Sequence, residues 1–244
     1  MQKTLIIIPT YQEVDNIDYL LSSIMSQAPS VHLLLVDDNS QDGTIERIKS
    51  FQSHYPEKIH LMQRPGKLGL GTAYLAGFQW GLARPYGFFV QMDADLSHQP
   101  SHLAPLLDRL SQGQDLVIGS RYVTGGMTEN WSLLRRLISR AGSFYARVIL
   151  GLNIRDLTGG FNAWRRELLE KIDLPGVHSN GYCFQIEMKY RARQQTPRIL
   201  EMPIKFVERR EGKSKMSLEI VLEAIYKVWQ IRWKLGPIAQ GGRK

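Results

Sequence analysis

Cysteine is almost missing from this chain: 244 residues contain one, Cys183. An intrachain disulfide is thereby excluded, a reducing compartment fits, and Cys183 reads as a small buried apolar residue. Long apolar runs are missing as well. No stretch approaches the roughly 18 residues needed to span a bilayer, and the N-terminus enters a strand within a few residues instead of a signal peptide, so the expectation is a soluble or peripheral protein. There is no internal repeat and no low-complexity segment. The glycines of Gly66 to Gly71 do not spell G-x-G-x-x-G and follow the third expected strand, not the first, which argues against NAD. No nucleic-acid-binding motif and no aromatic-interleaved basic sheet is visible, so nucleic acid is not an expected partner.

What is present begins with charge. The net charge of +8 is unevenly spread. Residues 1–120 hold 8 Lys/Arg against 12 Asp/Glu, whereas residues 121–244 hold 23 against 11. An acidic half suits metal carboxylates, and a basic half suits something anionic such as phosphates or a lipid surface. With 43% apolar residues the chain can bury a sizeable core.

Apolar and β-branched runs at Thr4–Ile8, Val31–Val36, Lys58–Met62, Gly87–Met92 and Asp115–Ser120 read as strands. Between them, helical spacing predicts helices over Val14–Ile24, after Asp42-Gly43-Thr44, over Thr72–Ala83 and over Ser101–Ser111. Such alternation predicts an α/β fold with a mostly parallel, doubly wound sheet and helices on both faces. After Tyr122 the pattern changes. A helix is expected over Trp131–Gly151, with Leu134, Leu137, Ile138, Ala141, Tyr145 and Val148 on one face and Arg136, Arg140 and Arg147 on the other. Asp156 to Gly160 reads as a turn, Gly181–Gln194 as a helix, Ile199–Val207 as one extended run, and Leu218–Leu235 as a final amphipathic helix. Its Trp229 and Trp233, beside Lys227, Arg232 and Lys234, suit either a lipid interface or core packing.

In an open α/β sheet, ligands bind beyond the carboxyl ends of the strands. Three polar clusters fall there: Glu13, Asp37/Asp38 and Asp93/Asp95. Asp93 and Asp95 stand two apart, so in extended backbone their carboxylates point the same way. They either hold a divalent cation, Mg²⁺ or Mn²⁺, completed by substrate phosphate oxygens, or cap the loop leading to the helix near Ser101. Asp38 either accepts from a base or ribose hydroxyl or caps the helix after Gly43. His98 reads as a loop or capping residue. Gln185 lies on a helix, near a donor sugar or in a buried hydrogen-bond network.

Pro9-Thr10-Tyr11-x-Glu13, Val36-Asp37-Asp38-Asn39-Ser40-x-Asp42-Gly43-Thr44, Lys67-Leu68-Gly69-Leu70-Gly71-Thr72-Ala73-Tyr74 and Met92-Asp93-Ala94-Asp95-Leu96-Ser97-His98 together resemble the inverting family-2 glycosyltransferases of GT-A (Rossmann-like) fold. Gly119-Ser120-Arg121-Tyr122, Ile138-Ser139-Arg140, Asp156-Leu157-Thr158-Gly159-Gly160-Phe161, Gly181-Tyr182-x-Phe184-Gln185-x-Glu187-Met188 and Pro203-Ile204-x-Phe206-Val207-Glu208-Arg209 with Ser214-Lys215 narrow the resemblance to dolichyl-phosphate (polyprenyl-phosphate) mannosyltransferases. It covers the chain to about Leu235.

The resemblance implies inverting transfer of mannose from GDP-mannose to a polyprenyl phosphate, on a peripheral protein at the cytoplasmic face of a membrane. It implies donor contacts from Pro9, Tyr11, Glu13, Val36, Asp38, Asp93, Ala94, Asp95, Arg209 and Lys215. The metal would sit on Asp93 and Asp95, and the acceptor phosphate on Arg121, Arg135, Ser139 and Arg209; Asp93, Asp95 and Arg209 would carry the catalysis. Residues 1–217 would form the GT-A domain and 218–244 a C-terminal helix and tail apposed to the membrane. Docking falls to the chain's own amphipathic helices or to an anchoring subunit. Two departures stand out: many relatives carry Gly where this chain has Asn39, and some carry a metal-ligating Gln at the position of Ser97. The rival readings keep the reaction with another donor such as UDP-glucose, or reduce the chain to a non-catalytic nucleotide-sugar-binding subunit. A phosphate monoester, with a second pKa of about 6, arrives at pH 7 largely ionised, so it needs cations and not a general base.

Overall fold

The computed structural model describes residues 2–208 and 218–238, the side chains of 218–225 excepted. Four βα units open the chain: β1 (Thr4–Thr10), α1 (Val14–Gln27), β2 (His32–Asp37), α2 (Thr44–His54), β3 (Ile59–Gln63), α3 (Leu70–Leu82) and β4 (Phe88–Gln91), which leads through a 3₁₀ turn, Pro100–His102, into α4 (Leu103–Ser111). The second half holds β5 (Leu116–Ser120), β6 (Met127–Glu129), α5 (Leu133–Leu150), β7 (Asn162–Arg165), α6 (Arg166–Leu169), α7 (Gly181–Gln195), β8 (Ile199–Pro203), β9 (Lys205–Val207) and α8 (Leu218–Leu235). Seven strands form one sheet in the order β3-β2-β1-β4-β7-β5-β8, and β6 pairs with β9 in a small second sheet.

β1 shows why the sheet is buried on both sides. Leu5 and Ile7 face one core with α3, α5, α7 and α8, whereas Ile6 and Ile8 face another with α1, α2 and α4. A run of apolar residues without alternation is what such a strand requires. β1 lies parallel to β2 on one side and to β4 on the other. The chain therefore leaves β1 in both directions, and the crevice beyond its carboxyl end is the switch point where ligands bind.

Two arrangements differ from the sequence expectation. β7 is a four-residue strand inserted antiparallel between β4 and β5; so short a segment, flanked by Gly159-Gly160 and the helical turn of α6, carries almost no periodic signal. The expected single run 199–207 is two strands, because Ile204 leaves the main sheet to bury its side chain while its N–H bonds Ser120 O at 3.0 Å. β9 then pairs with β6.

The apolar face expected on α5 exists, but it points outward: Leu134, Leu137 and Val148 are exposed while Ser139, Ser143, Ala146 and Leu150 are buried. α8 packs on the domain through Val228 and Ile231, which share a core with Ala146 and Leu150. Among the described residues no helix is long and apolar enough to cross a membrane.

α3 reaches the sheet through glycines. A methyl on Gly77 would lie 2.5 Å from Ile7 Cγ2, and the facing strand is too tightly packed to yield that space. Gly77→Ala is therefore expected to destabilise the fold by about 2 kcal/mol, despite alanine's better helix propensity, and urea denaturation measures this. An unchanged midpoint would show that α3 is free to move off the sheet.

Candidate active site

The loops after β1 and β2 are stitched together by side chains. Asp37 Oδ2 accepts from Thr10 Oγ1 at 2.7 Å and from Ser40 Oγ at 2.8 Å, and Asp37 Oδ1 accepts from the Ser40 N–H. Ser40 Oγ in turn accepts from the Gln12 N–H at 2.9 Å, and Thr44 Oγ1 from the Glu13 N–H. Asn39 sits at φ 63°, a left-handed conformation that asparagine tolerates in place of glycine. Pro9, Tyr11 and Glu13 stand on this rim, with Lys67 Nζ 4.1 Å from the Tyr11 ring centre; Val36 is fully buried beneath it.

Asp38 does something the sequence did not suggest. Its Oδ1 takes the Arg64 guanidinium, with Nε at 2.5 Å, and its Oδ2 takes the N–H groups of Leu68 and Gly69 at 3.2 and 3.3 Å. Four donors occupy this carboxylate. Asp38 therefore holds the Lys67-Leu68-Gly69 loop against β2. The start of α2 is served by Asp42, which accepts from the Thr44 N–H and hydroxyl.

Beyond β4, Asp93 and Asp95 stand on one tight loop. Tyr74 OH donates to Asp93 Oδ1 at 2.8 Å, and burial holds the Tyr74 phenol well above its ordinary pKa, so it stays a donor. Asp95 Oδ1 accepts from the Ser97 N–H and from Ser97 Oγ, across a turn in which Leu96 has φ 62°. Ser97 is buried and spends its hydroxyl orienting this carboxylate. Ala94 between the two is buried. His98 Nδ1 accepts the Asp93 N–H at 3.0 Å. That bond makes it the neutral tautomer with the proton on Nε2, and burial pushes its pKa down in the same sense. His98 thus braces the loop from behind, stacked on Phe161.

Two hard carboxylates without histidine or thiolate are the donor set of Mg²⁺ or Mn²⁺, which keep most of their shell for water and phosphate. Among the described residues no group of three or more His, Cys, Asp or Glu is placed to hold a metal by itself. The residues fit an ion that arrives with a diphosphate.

The acceptor-side candidates gather around one buried ion pair. Arg121 donates Nε to Asp156 Oδ2 at 2.8 Å and Nη2 to Asp156 Oδ1 at 2.7 Å and Thr158 Oγ1 at 2.9 Å. Burial opposes ionisation of both, yet each outweighs it for the other: the Asp156 pKa is lowered and the Arg121 pKa raised. Ser139 accepts from Tyr122 OH at 2.6 Å. Arg135 bonds Glu208 at 2.5 Å and lies 4.2 Å from the centre of the Trp131 ring. Arg121, Ser139 and Arg135 are thus neighbours of one aromatic cluster, Tyr122, Trp131 and Phe206. Arg209 and Lys215 lie outside the described residues.

Sequence reasoning missed Lys189 altogether. It is fully buried on α7, and its Nζ donates to the backbone carbonyls of Asp156, Leu157 and Gly159 at 3.1, 3.2 and 2.7 Å. Burial lowers its pKa to about 8, against the pull of Asp156. The one available signal was that α7 has no apolar stripe; every residue from Cys183 to Ala192 is buried.

Gln185 belongs to a directed chain. Trp164 Nε1 donates to Gln91 Oε1, and Asn162 Nδ2 donates both to that oxygen and to Gln185 Oε1, each at 3.1 Å. Because the indole can only donate, every amide in the chain has its orientation fixed. Gln185 Nε2 is left without a protein partner although buried. It lies beside Gly160, where a Cβ would sit 3.5 Å from it and 3.2 Å from Asp93 Oδ2. Gly160 thus keeps open the space between the amide and the carboxylate loop.

An open, mostly parallel sheet with a carboxylate loop at its switch point defines the fold class, and solved structures bear it out. The glucosyl-3-phosphoglycerate synthase of Mycobacterium tuberculosis, in complex with Mn²⁺, UDP and glucosyl-3-phosphoglycerate, superposes with a TM-score of 0.68 over 98% of this chain and 82% of that one, at 18% identity. The same enzyme with Mg²⁺ and UDP gives 0.67 over 94% of this chain and 79% of that one, at 18% identity. The fold is GT-A. The family described as "Glycosyl transferase family 2" matches residues 5–173, and the chain belongs to it. It is similar to "Polyprenol monophosphomannose synthase" of Mycolicibacterium smegmatis, 48% identical over 96% of this chain and 89% of the relative. It is also similar to "Undecaprenyl-phosphate mannosyltransferase" of Micrococcus luteus, 46% identical over 99% and 98%.

Lys189→Met should cost roughly 3 kcal/mol, because three buried carbonyls lose their donor. The sign with pH follows from the lowered pKa: between about 8 and 10.5 the unfolded chain binds more protons at Lys189 than the folded one. Wild-type stability therefore gains from Lys189 as pH rises through that window. Urea titrations at pH 8 and pH 10 should show the gap between wild type and Lys189→Met widening; a constant gap would mean the lysine is not held as described.

Proposed function

We propose that the chain transfers mannose from GDP-mannose to the phosphate of a polyprenol, with inversion, using Mg²⁺ or Mn²⁺ held by Asp93 and Asp95, at the cytoplasmic face of a membrane. Both relatives named above carry polyprenol-phosphate mannose transfer in their names. The observation that carries the reading is what surrounds the carboxylate loop among the described residues: cations and amides, with the nearby carboxylates and His98 already engaged. Asp156 is committed to Arg121, Glu208 to Arg135 and Glu187 to Arg191, while His98 spends its Nδ1 lone pair on the Asp93 N–H. A site for a sugar hydroxyl would need a base within reach. A phosphate acceptor brings its own negative charge and needs only to be held.

In this reading the donor base and ribose lie on the rim of Pro9, Tyr11 and Glu13, above the buried Val36, with Asp38 shaping the loop that covers them. A divalent ion at Asp93 and Asp95 supplies Lewis-acid stabilisation of the leaving diphosphate. Tyr74 and Ser97 fix the two carboxylates so that little reorganisation is needed on donor binding. Arg121, pinned by Asp156, gives a fixed positive field for the lipid phosphate, and the Ser139 and Tyr122 hydroxyls supply hydrogen bonds. Arg135, paired with Glu208 and lying over the Trp131 ring, adds a further positive charge on the acceptor side. The proposal extends to Arg209 and Lys215 as further phosphate contacts. The phosphate oxygen attacks the anomeric carbon from the face opposite GDP, the bond to GDP breaks, and no proton changes hands. Gln185 Nε2 is the donor aimed at the reacting centre.

Purified protein offered a polyprenyl phosphate should consume GDP-mannose in preference to UDP-glucose; preference for the latter would transfer the proposal to another sugar, and binding without turnover would reduce the chain to a carrier subunit. Asp95→Ala should lower turnover on the order of 10³-fold with an unchanged circular dichroism spectrum, and wild-type turnover in that variant would remove the metal from the scheme. Gln185→Ala should lower kcat on the order of 10²-fold with the KM for lipid little changed. Gln185→Glu should recover activity only as pH falls and the carboxyl becomes a donor. An identical pH profile in Gln185→Glu and wild type would assign Gln185 to packing alone.

A further inference from the structure

α5 is built inside out. Its exposed residues include Leu133 (81% exposed), Leu134 (67%), Leu137 (66%), Phe144 (63%) and Val148 (60%), whereas its buried side is Ser139, Ser143, Ala146 and Leu150. From Leu134 through Leu137, Ala141 and Phe144 to Val148 the spacing is three or four residues, one continuous stripe about 20 Å long at 1.5 Å per residue. Burial cannot explain it, because the sheet lies on the other side. A contiguous apolar stripe of this size on a domain surface marks a contact.

We infer that this face of α5 inserts into an anionic lipid bilayer. The charges on the helix choose that occupant. α5 carries four arginines, 135, 136, 140 and 147, and no acidic residue. Arg140 is exposed and Arg136 and Arg147 half-buried beside the stripe. A two-fold contact with a second copy would set this basic face against itself, whereas anionic headgroups complement it. α8 packs beside α5 with Tyr226, Trp229 and Trp233 exposed and Arg232 and Lys234 in its last turn, its two acidic residues, Glu219 and Glu223, lying in its first half. Indole and phenol rings favour the headgroup layer, next to the inserted stripe.

The consequence for the acceptor rests on the function proposed above. An amphipathic helix sinks its apolar face about 5–10 Å, and a helix is about 10 Å across. The inward side of α5, with Ser139 and its partner Tyr122, then stands at the level of the lipid phosphates. A polyprenyl phosphate meets the site at the height where the membrane holds its headgroup, with its chain still among the lipids.

The test is flotation of the full chain with vesicles of phosphatidylcholine containing phosphatidylglycerol, without polyprenyl phosphate. Wild type is expected to float, more weakly with pure phosphatidylcholine or at high salt. The variant Leu137→Gln/Phe144→Gln/Val148→Gln, altered only at exposed positions, should bind about tenfold less, melt like wild type, and keep wild-type turnover on a short, water-soluble acceptor. Equal flotation of variant and wild type overturns the inference. So does a wild type that ignores vesicles but forms a dimer the variant cannot form, or that floats only with another protein added. Loss of flotation with short-acceptor activity intact supports the docking face; absence of activity on every donor with flotation intact sinks the proposed function and leaves the face standing.

Discussion

One buried carboxylate between two cations holds the second half of this protein in place. Asp156 binds the side chain and backbone N–H of Arg121 and the N–H of Gly159, while Lys189 holds the carbonyls of the same loop. These bonds tie together the end of β5, the 156–160 loop and the middle of α7. Taking three charges out of water is costly, and such a cluster persists only when nearly every donor and acceptor is matched, as these are. Two positive groups against one negative leave the core beneath the acceptor side with an excess of positive charge. That is a poor way to gain stability and a good way to prepare a site for a phosphate.

The first half depends on a different device, carboxylates that shape loops. Asp37 joins the β1 and β2 loops, Asp38 secures the glycine loop before α3, and Asp42 serves the start of α2. Asp93 and Asp95, fixed by Tyr74 and Ser97, form the carboxylate loop beyond β4. The charge asymmetry seen in the sequence thus matches the division of labour proposed above: acidic loops toward nucleotide and metal, cations toward the acceptor phosphate.

The βα alternation of residues 4–120 was legible because strands buried on both faces write continuous apolar runs, and the carboxylate loop was legible because it follows such a run at β4. β7 was not, since its place is fixed by pairing with β4 and β5 rather than by any pattern of its own. The role of Asp38 in holding the glycine loop was not legible, because its partner, Arg64, lies 26 residues away and in no motif. Lys189 was invisible because a lysine within a helix ordinarily reaches water. The apolar stripe of α5 was legible as a face; its direction was left open, because periodicity gives the stripe and only the packing of Ser139 and Ser143 says which side turns in. The resemblance to polyprenyl-phosphate mannosyltransferases supplied what pattern alone could not, the substrates proposed above.

The docking inferred for the outward stripe on α5 would also change how encounter between protein and acceptor is to be counted. Seated on lipid, both partners diffuse in two dimensions, and their meeting frequency follows the mole fraction of acceptor within the sheet, not its amount per litre. Diluting the acceptor with inert lipid slows such an encounter even when nothing in the surrounding solution has changed.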